Sequence, residues 1–457
     1  MGGRAVISAH GPPPRACPRA CTTPVVSQTV NSRLIDQDQS QPAERIGRSV
    51  RARPSRRGRH PRLRGTRGWR TRRRARLAIR RTWFARRPLS TIGLALLVLL
   101  TPLWWSFGSA VTNPANGSPV AAAAEWVRGH GGSSVVRWAE NLWYSHHAPP
   151  VGGRPPAGAI PLPSGGRIGG GSGRVAHLPM PPSIVPLASP AVPGEGQWHP
   201  AGRLVHGVPA VYEAFLRPDP VHTSLVVGVA WMDPTLLSAT LYSGSVIPGG
   251  GPWHFTAPVT PSAALDLVAG FNSGFRMPDA EGGYYAEGHS VLPLVPGDAS
   301  LVFYADGRVT VAKWGRDATM GPGVTAVRQN LHLLVDHGAP VPGLQANDTT
   351  QWGLTLGNHV FVWRSGAGVT QNGALVYVGG PGLNITTLAD LLVRVGAVRG
   401  MELDINTDWV NLSAYSPPSG QLASAANGAP LLSSMVGGAG RYFTDWPRDF
   451  VTMSARP

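Results

Sequence analysis

Met401-Glu402-Leu403-Asp404-Ile405-Asn406-Thr407-Asp408 alternates apolar with polar side chains. A period of two belongs to a strand, whose successive side chains point to opposite faces. Met401, Leu403 and Ile405 then share an apolar face, and Glu402, Asp404 and Asn406 share the other. Just upstream, Thr386–Val395 has helical spacing, with Thr386 or Thr387 as N-cap and Gly396 as stop. Strand-like runs precede this helix–strand unit: Ala210–Leu216, Ser224–Trp231, Ser238–Tyr242, Leu301–Tyr304, Val309–Ala312, Leu331–Val335, Val360–Trp363 and Leu375–Val378. Gly, Pro, Asp or Asn bounds each one, and Asp306-Gly307 marks a hairpin. A second helix is read over Pro261–Val268, after Thr260. The fold class is therefore α+β, a mixed β-sheet domain with few helices over residues 199–457.

The polar face of the strand is the chemical candidate. Two carboxylates projecting together raise one another's pKa and divide acid, base or nucleophile roles. That points to Glu402 and Asp404 as catalytic candidates. A second option is a hard divalent cation such as calcium, held by Asp404, Asn406 and Asp408. The spacing opens like a calcium loop, but position six is Trp409 and position twelve is Tyr415, so it is not an EF-hand. Val268–Arg276 supplies Asn272 to orient a substrate hydroxyl or phosphate, Gly274 for close backbone approach, and Arg276 to clamp an anion. The Gly-rich aromatic stretch Gly282–His289 supplies Tyr285 to stack on a sugar and His289 to donate a proton. Arg364 is a further cationic candidate. Nucleotide, zincin, serine-hydrolase and kinase motifs are absent.

Charge separates the rest of the chain. Of 457 residues, the first 87 carry 23 Arg against Asp36, Asp38 and Glu44, while residues 88–457 carry 18 basic and 21 acidic side chains. The net +17 is thus a property of the tail. The near-neutral remainder argues against nucleic acid as its partner. Residues 1–87 lack the apolar content to offset chain entropy and read as a disordered cytoplasmic tail. No charge occurs from Pro88 to Ala124, and Leu89–Val111 is apolar enough to span ~30 Å of hydrocarbon. With the Arg block on its N-terminal side, positive-inside topology puts the N-terminus in the cytoplasm and the main domain outside the cell. The apolar run is longer than a cleaved h-region, so it reads as a signal anchor in the cell membrane. Residues 112–198 follow as two short amphipathic helices and a Pro/Gly-rich linker, read as a stalk. Both cysteines, Cys17 and Cys21, lie in the tail, so no disulfide holds the domain.

Over residues ~260–415 the order of short motifs resembles the phosphodiester glycosidase family. Ala269–Phe275 is similar to its Asn-Gly-Gly-Phe-Phe segment, Gly283–Gly288 to its Gly-rich stretch, and Leu334-Val335-Asp336-His337-Gly338 to its Leu-Val-x-x-Gly element. Gly353–Gly357 is similar to its Ala-Ile-Gly strand, and Thr387–Leu392 followed by Met401–Asp404 to the helix and strand that end in Leu-Asp. Two departures stand out: Ile405-Asn406-Thr407-Asp408 replaces Gly-Gly-Gly-Ser, and Gln351 stands where an Arg is usual. The resemblance implies hydrolysis of a sugar-1-phosphodiester, here on a carbohydrate or glycan of the cell envelope. That is a glycoside hydrolysis with a phosphate leaving group, needing a carboxylate near the anomeric carbon and positive charge near phosphate. The replaced glycines favour a rival reading, a catalytically silent glycan-binding or envelope-assembly protein on the same fold.

Overall fold

The computed structural model describes residues 88–113, 118–146, 148–162, 175–344 and 361–457. The tail with Cys17 and Cys21, the central part of the linker, and the Gln351 and Gly353–Gly357 positions lie outside the described residues.

The domain is mostly sheet with few helices. Its largest sheet has eight strands. From one edge they are His199–Val205, Val208–Leu216, Val227–Met232, Leu375–Leu383, Val362–Thr370, Ala397–Ile405, Leu333–Asp336 and Ala339–Pro340. A second sheet orders Gly428–Pro430, Leu412–Tyr415, Leu267–Asn272, Phe450–Ala455 and Leu237–Tyr242. A third orders His289–Leu292, Tyr284–Ala286, Val324–Gln329, Ala299–Tyr304 and Val309–Lys313. The last two strands form the hairpin expected at Asp306-Gly307, with Gly307 at a φ of 79°. The named strands pair antiparallel throughout, so the α+β class stands but the mix of strand directions does not. Neighbours such as Val362–Thr370 and Leu375–Leu383 are joined by tight turns, and a tight turn reverses direction.

Side chains from all three sheets meet in one core that includes Met401, Leu403, Phe271, Phe303, Tyr284 and Met453. A second core lies on the other face of the eight-stranded sheet. There one helix, Ile385–Arg394, packs Leu388, Leu391 and Leu392 on Val376, Val378 and Val335. Gly366 and Gly400 lie under it, where an added Cβ would come within 3.2 Å of Leu392, so the missing side chains set how closely helix and sheet approach. The N-cap is Asn384, whose side chain accepts the Thr387 amide at 2.8 Å, two or three positions before the expected cap. The other expected helix is only Pro261–Ala264, because Leu267 and Val268 are taken into the second sheet.

Before the domain come three helices: α1 (Pro88–Thr112), α2 (Pro119–Val127) and α3 (Ser133–His146), the last two joined by a kinked turn of π-helix at Arg128–Gly132. Ile92–Thr112 is long and apolar enough to cross a membrane. The described parts of the linker do not stand away from the domain. Ile160 and Ile184 are buried in its two cores, and Leu178 donates its amide to Asp233 Oδ2 at 2.7 Å.

Candidate functional site

Three chain segments converge where the Ala397–Ile405 strand ends. Asp404 donates its amide to Ser273 O at 3.0 Å, just past the Leu267–Asn272 strand. Ser273 donates its own to Asp449 O at 3.2 Å, just before the Phe450–Ala455 strand. This stitching brings Asp404, Arg276 and Arg448 to one pocket of about 100 Å³. Glu125, Arg128, Ser133 and Glu140 from the α2–α3 segment line it together with Asn406 and Trp409.

Arg448 is its centre. One nitrogen, Nη1, lies 3.5 Å from Asp404 Oδ2, and the other, Nη2, lies 3.6 Å from Glu125 Oε1. The guanidinium sits 4.3 Å from the Trp409 ring centroid, within cation–π range. Nη1 is buried and has no hydrogen-bond partner among the described residues. Arg276 reaches the other oxygen of Glu125 at 3.3 Å and bonds Asp279 through Nε at 2.8 Å. Burial pushes the Asp404 carboxyl up to about 7, and the nearby guanidinium of Arg448 and the Ile405 amide only partly oppose it. The site therefore joins a carboxyl that titrates near neutrality to two guanidinium groups that share one carboxylate.

Glu402 does not reach the pocket, which Asp404 and Ile405 both line; the pairing with Val362–Thr370 is bulged between Glu402 and Ile405, so the expected apolar face of Met401, Leu403 and Ile405 is not kept to its end. Glu402 forms a buried ion pair with Arg364, Nη1 to Oε1 at 2.5 Å, and neither side chain is more than 1% exposed. Burial pushes Glu402 up and Arg364 opposes this. Arg364 also donates from Nε to Leu383 O at 2.9 Å. Asn272 is buried in a complete network: it donates to Ser365 Oγ and Ser273 O, and accepts from Tyr377 OH and the Asn411 amide. Tyr285 packs beside the Val302–Val327 cluster, and His289 is exposed on an edge strand near Trp253. Neither lines the pocket.

The cation set does not fit. Asp404 faces a guanidinium, and Asp408 accepts the Ser118 amide and hydroxyl, each at 3.2 Å. Among the described residues no three His, Cys, Asp or Glu side chains gather to hold a metal. Asn406 serves the backbone: its φ of 78° is left-handed, its amide bonds Trp363 O, and its carbonyl receives the Trp409 and Val410 amides. Asn is among the few non-glycine residues at ease there.

Sequence reasoning missed Arg448, Trp409 and Glu125. Only Trp409, inside the candidate loop, carried a local signal. A larger groove of about 470 Å³ lies between Pro179–Pro182 and Arg394–Gly396, and no carboxylate lines it.

No protein-family profile matches the chain, and no curated protein does. Among solved structures it is similar to the zebrafish N-acetylglucosamine-1-phosphodiester alpha-N-acetylglucosaminidase catalytic domain, auto-inhibited by its pro-peptide. That match has 14% identity and a TM-score of 0.37, over 57% of this chain and 88% of that one. A hypothetical protein from Synechocystis matches at 12% identity and TM-score 0.32, over 55% and 63%. An exported protein of Burkholderia pseudomallei matches at 15% identity and TM-score 0.28, over 51% and 75%.

Proposed function

We propose that the chain is a membrane-anchored hydrolase that cleaves sugar-1-phosphodiesters or related anionic glycans outside the cell. The observation that carries this reading is Asp404, a carboxyl held near neutral titration 3.5 Å from Arg448 Nη1, a buried guanidinium nitrogen that makes no hydrogen bond. The motif order around it, similar to the phosphodiester glycosidases, names the bond. On this reading Arg448 and Arg276 take the phosphate, replacing the carboxylate of Glu125 as their counter-charge. Asp404, ionised where the pH is above its pKa, faces the anomeric carbon and supports positive charge building there. The C1–O bond breaks, the phosphomonoester leaves, and water supplies the hydroxyl at C1. Since phosphate is a good leaving group, the site needs little general-acid help. A single strand carboxylate in the pocket suffices, and Glu402 is left to hold the sheet. α1 is the anchor, with the Arg-rich side in the cytoplasm.

The buried Arg364–Glu402 pair favours the second reading, a glycan-binding protein without turnover, because it removes one of the two strand carboxylates from the pocket. Full-length protein in detergent, given a chromogenic sugar-1-phosphodiester, separates the two. The hydrolase reading expects turnover that Asp404→Asn and Arg448→Met each abolish. Saturable binding without product would replace it with the second reading.

A further inference from the structure

Helix α3 has two unlike faces. Ser133 and Glu140, seven residues apart and so on one side, line the Asp404 pocket. Val135, Trp138 and Leu142 lie roughly half a turn around, at ~100° per residue, and are 64%, 66% and 48% exposed. That outer face carries no charge. A Trp two-thirds exposed on a helix whose other side is built into a pocket calls for a covering surface.

Its position relative to α1 says which surface. Trp126 of α2 donates from Nε1 to Ser106 Oγ at 3.0 Å and packs edge-on against Phe107, centroids 5.2 Å apart. Ser106 lies six residues before the end of α1, about 9 Å along the helix axis at ~1.5 Å per residue. If α1 crosses a bilayer with Ile92–Thr112 as its apolar span, that depth is the outer part of the acyl-chain layer, beneath the headgroups, where Trp104 and Trp105 of α1 also sit exposed. α2 then meets the outer leaflet at Trp126, and α3 follows a kinked turn further on. The same stretch is tied to the domain by Ser118, just before α2, to Asp408 and by Glu125, next to Trp126, to Arg276 and Arg448.

We propose that α3 rests its Val135–Trp138–Leu142 face in the outer leaflet, and that the pocket behind it takes a membrane-borne substrate, an anionic sugar phosphodiester still attached to lipid. This deepens the hydrolase reading and rests on it for the chemistry. Water adds its hydroxyl to the anomeric carbon and its proton to the departing oxygen. The phosphomonoester stays with the lipid and the sugar is released.

The test uses the full chain with Cys17→Ser and Cys21→Ser, a bimane label on Trp138→Cys, and phosphatidylcholine–phosphatidylglycerol vesicles. Brominated lipid should quench the label and aqueous iodide should not. Quenching by iodide, or by neither agent as under a second copy of the chain, overturns the docking. On the activity side, Trp138→Glu should lower turnover of a vesicle-borne sugar phosphodiester by about tenfold while leaving a water-soluble one unchanged. An equal effect on both overturns the substrate class. No turnover of either by the unaltered chain overturns the hydrolase reading, and the substrate class with it, while the quenching result still decides the docking.

Discussion

Asp404→Asn should separate stability from function. Burial raises the Asp404 carboxyl from an ordinary 3.8 to about 7, net of the help it receives from Arg448. At ~1.4 kcal/mol per pH unit, the ionised form costs the fold on the order of 4 kcal/mol. The sign follows from proton linkage. Below pH 3.8 folded and unfolded chains both hold the proton, and the carboxyl is neutral in its stability effect. Between 3.8 and 7 the folded state keeps a proton that the unfolded state has lost, so stability falls as pH rises, and above about 7 the full penalty is present. Asn carries no such charge and keeps an oxygen to accept the Ile405 amide at the Oδ1 position. Its stability relative to the unaltered chain should therefore climb by roughly 2–3 kcal/mol between pH 5 and pH 8. For a domain of this size that is a relative gain in Tm of about 5–10 °C. Other carboxyls raised by burial, Glu213 and Asp298 among them, cancel in the difference. Thermal denaturation of both proteins at four pH values, beside turnover at each, is the assay. A difference in Tm that does not change with pH would refute a raised Asp404. A variant that gains stability at pH 8 and still turns over would remove Asp404 from the chemistry.

Glu402→Gln leaves Arg364 buried without its counter-charge and should cost about 3–5 kcal/mol, whereas Arg364→Met with Glu402→Leu should recover most of it; chemical denaturation measures both, and kcat per folded molecule should hold in each. Glu125→Gln weakens the competitor for Arg276 and Arg448, so inorganic phosphate should bind about three- to tenfold tighter by calorimetry; unchanged affinity would mean that the two arginines do not form an anion site. Gly244→Ala would place a Cβ 2.4 Å from Pro447 O and 2.5 Å from Arg448 C, both backbone atoms that cannot rotate away. It should cost ~1–3 kcal/mol and, by shifting Arg448, reduce kcat more than the loss of folded protein explains.

Local pattern carried the parts of this fold that local physics decides. Met401 and Leu403 enter the core as the alternation expects, but Ile405 packs beside Phe275 and lines the pocket with Asp404, past a bulge in the pairing with Val362–Thr370. The helix before it is found within two residues, since its apolar stripe must meet the sheet. Where the readings ran long, as at Pro261–Val268, a distant strand claimed the residues, for Phe450–Ala455 pairs along Leu267–Asn272. The site failed to show for the same reason. Asp404 is set apart from Glu402 by the guanidinium each one meets, Arg448 in one case and Arg364 in the other. Those partners sit 44 and 38 residues away in opposite directions along the chain, and no spacing rule reaches them. At the end of the same strand Asn406 makes a left-handed turn, a conformation open to asparagine without glycine. A strand's alternation can thus nominate two carboxylates. Only the packing of sheet ends decides which of them is neutralised in the core and which is left titrating beside an arginine that still has a donor to give.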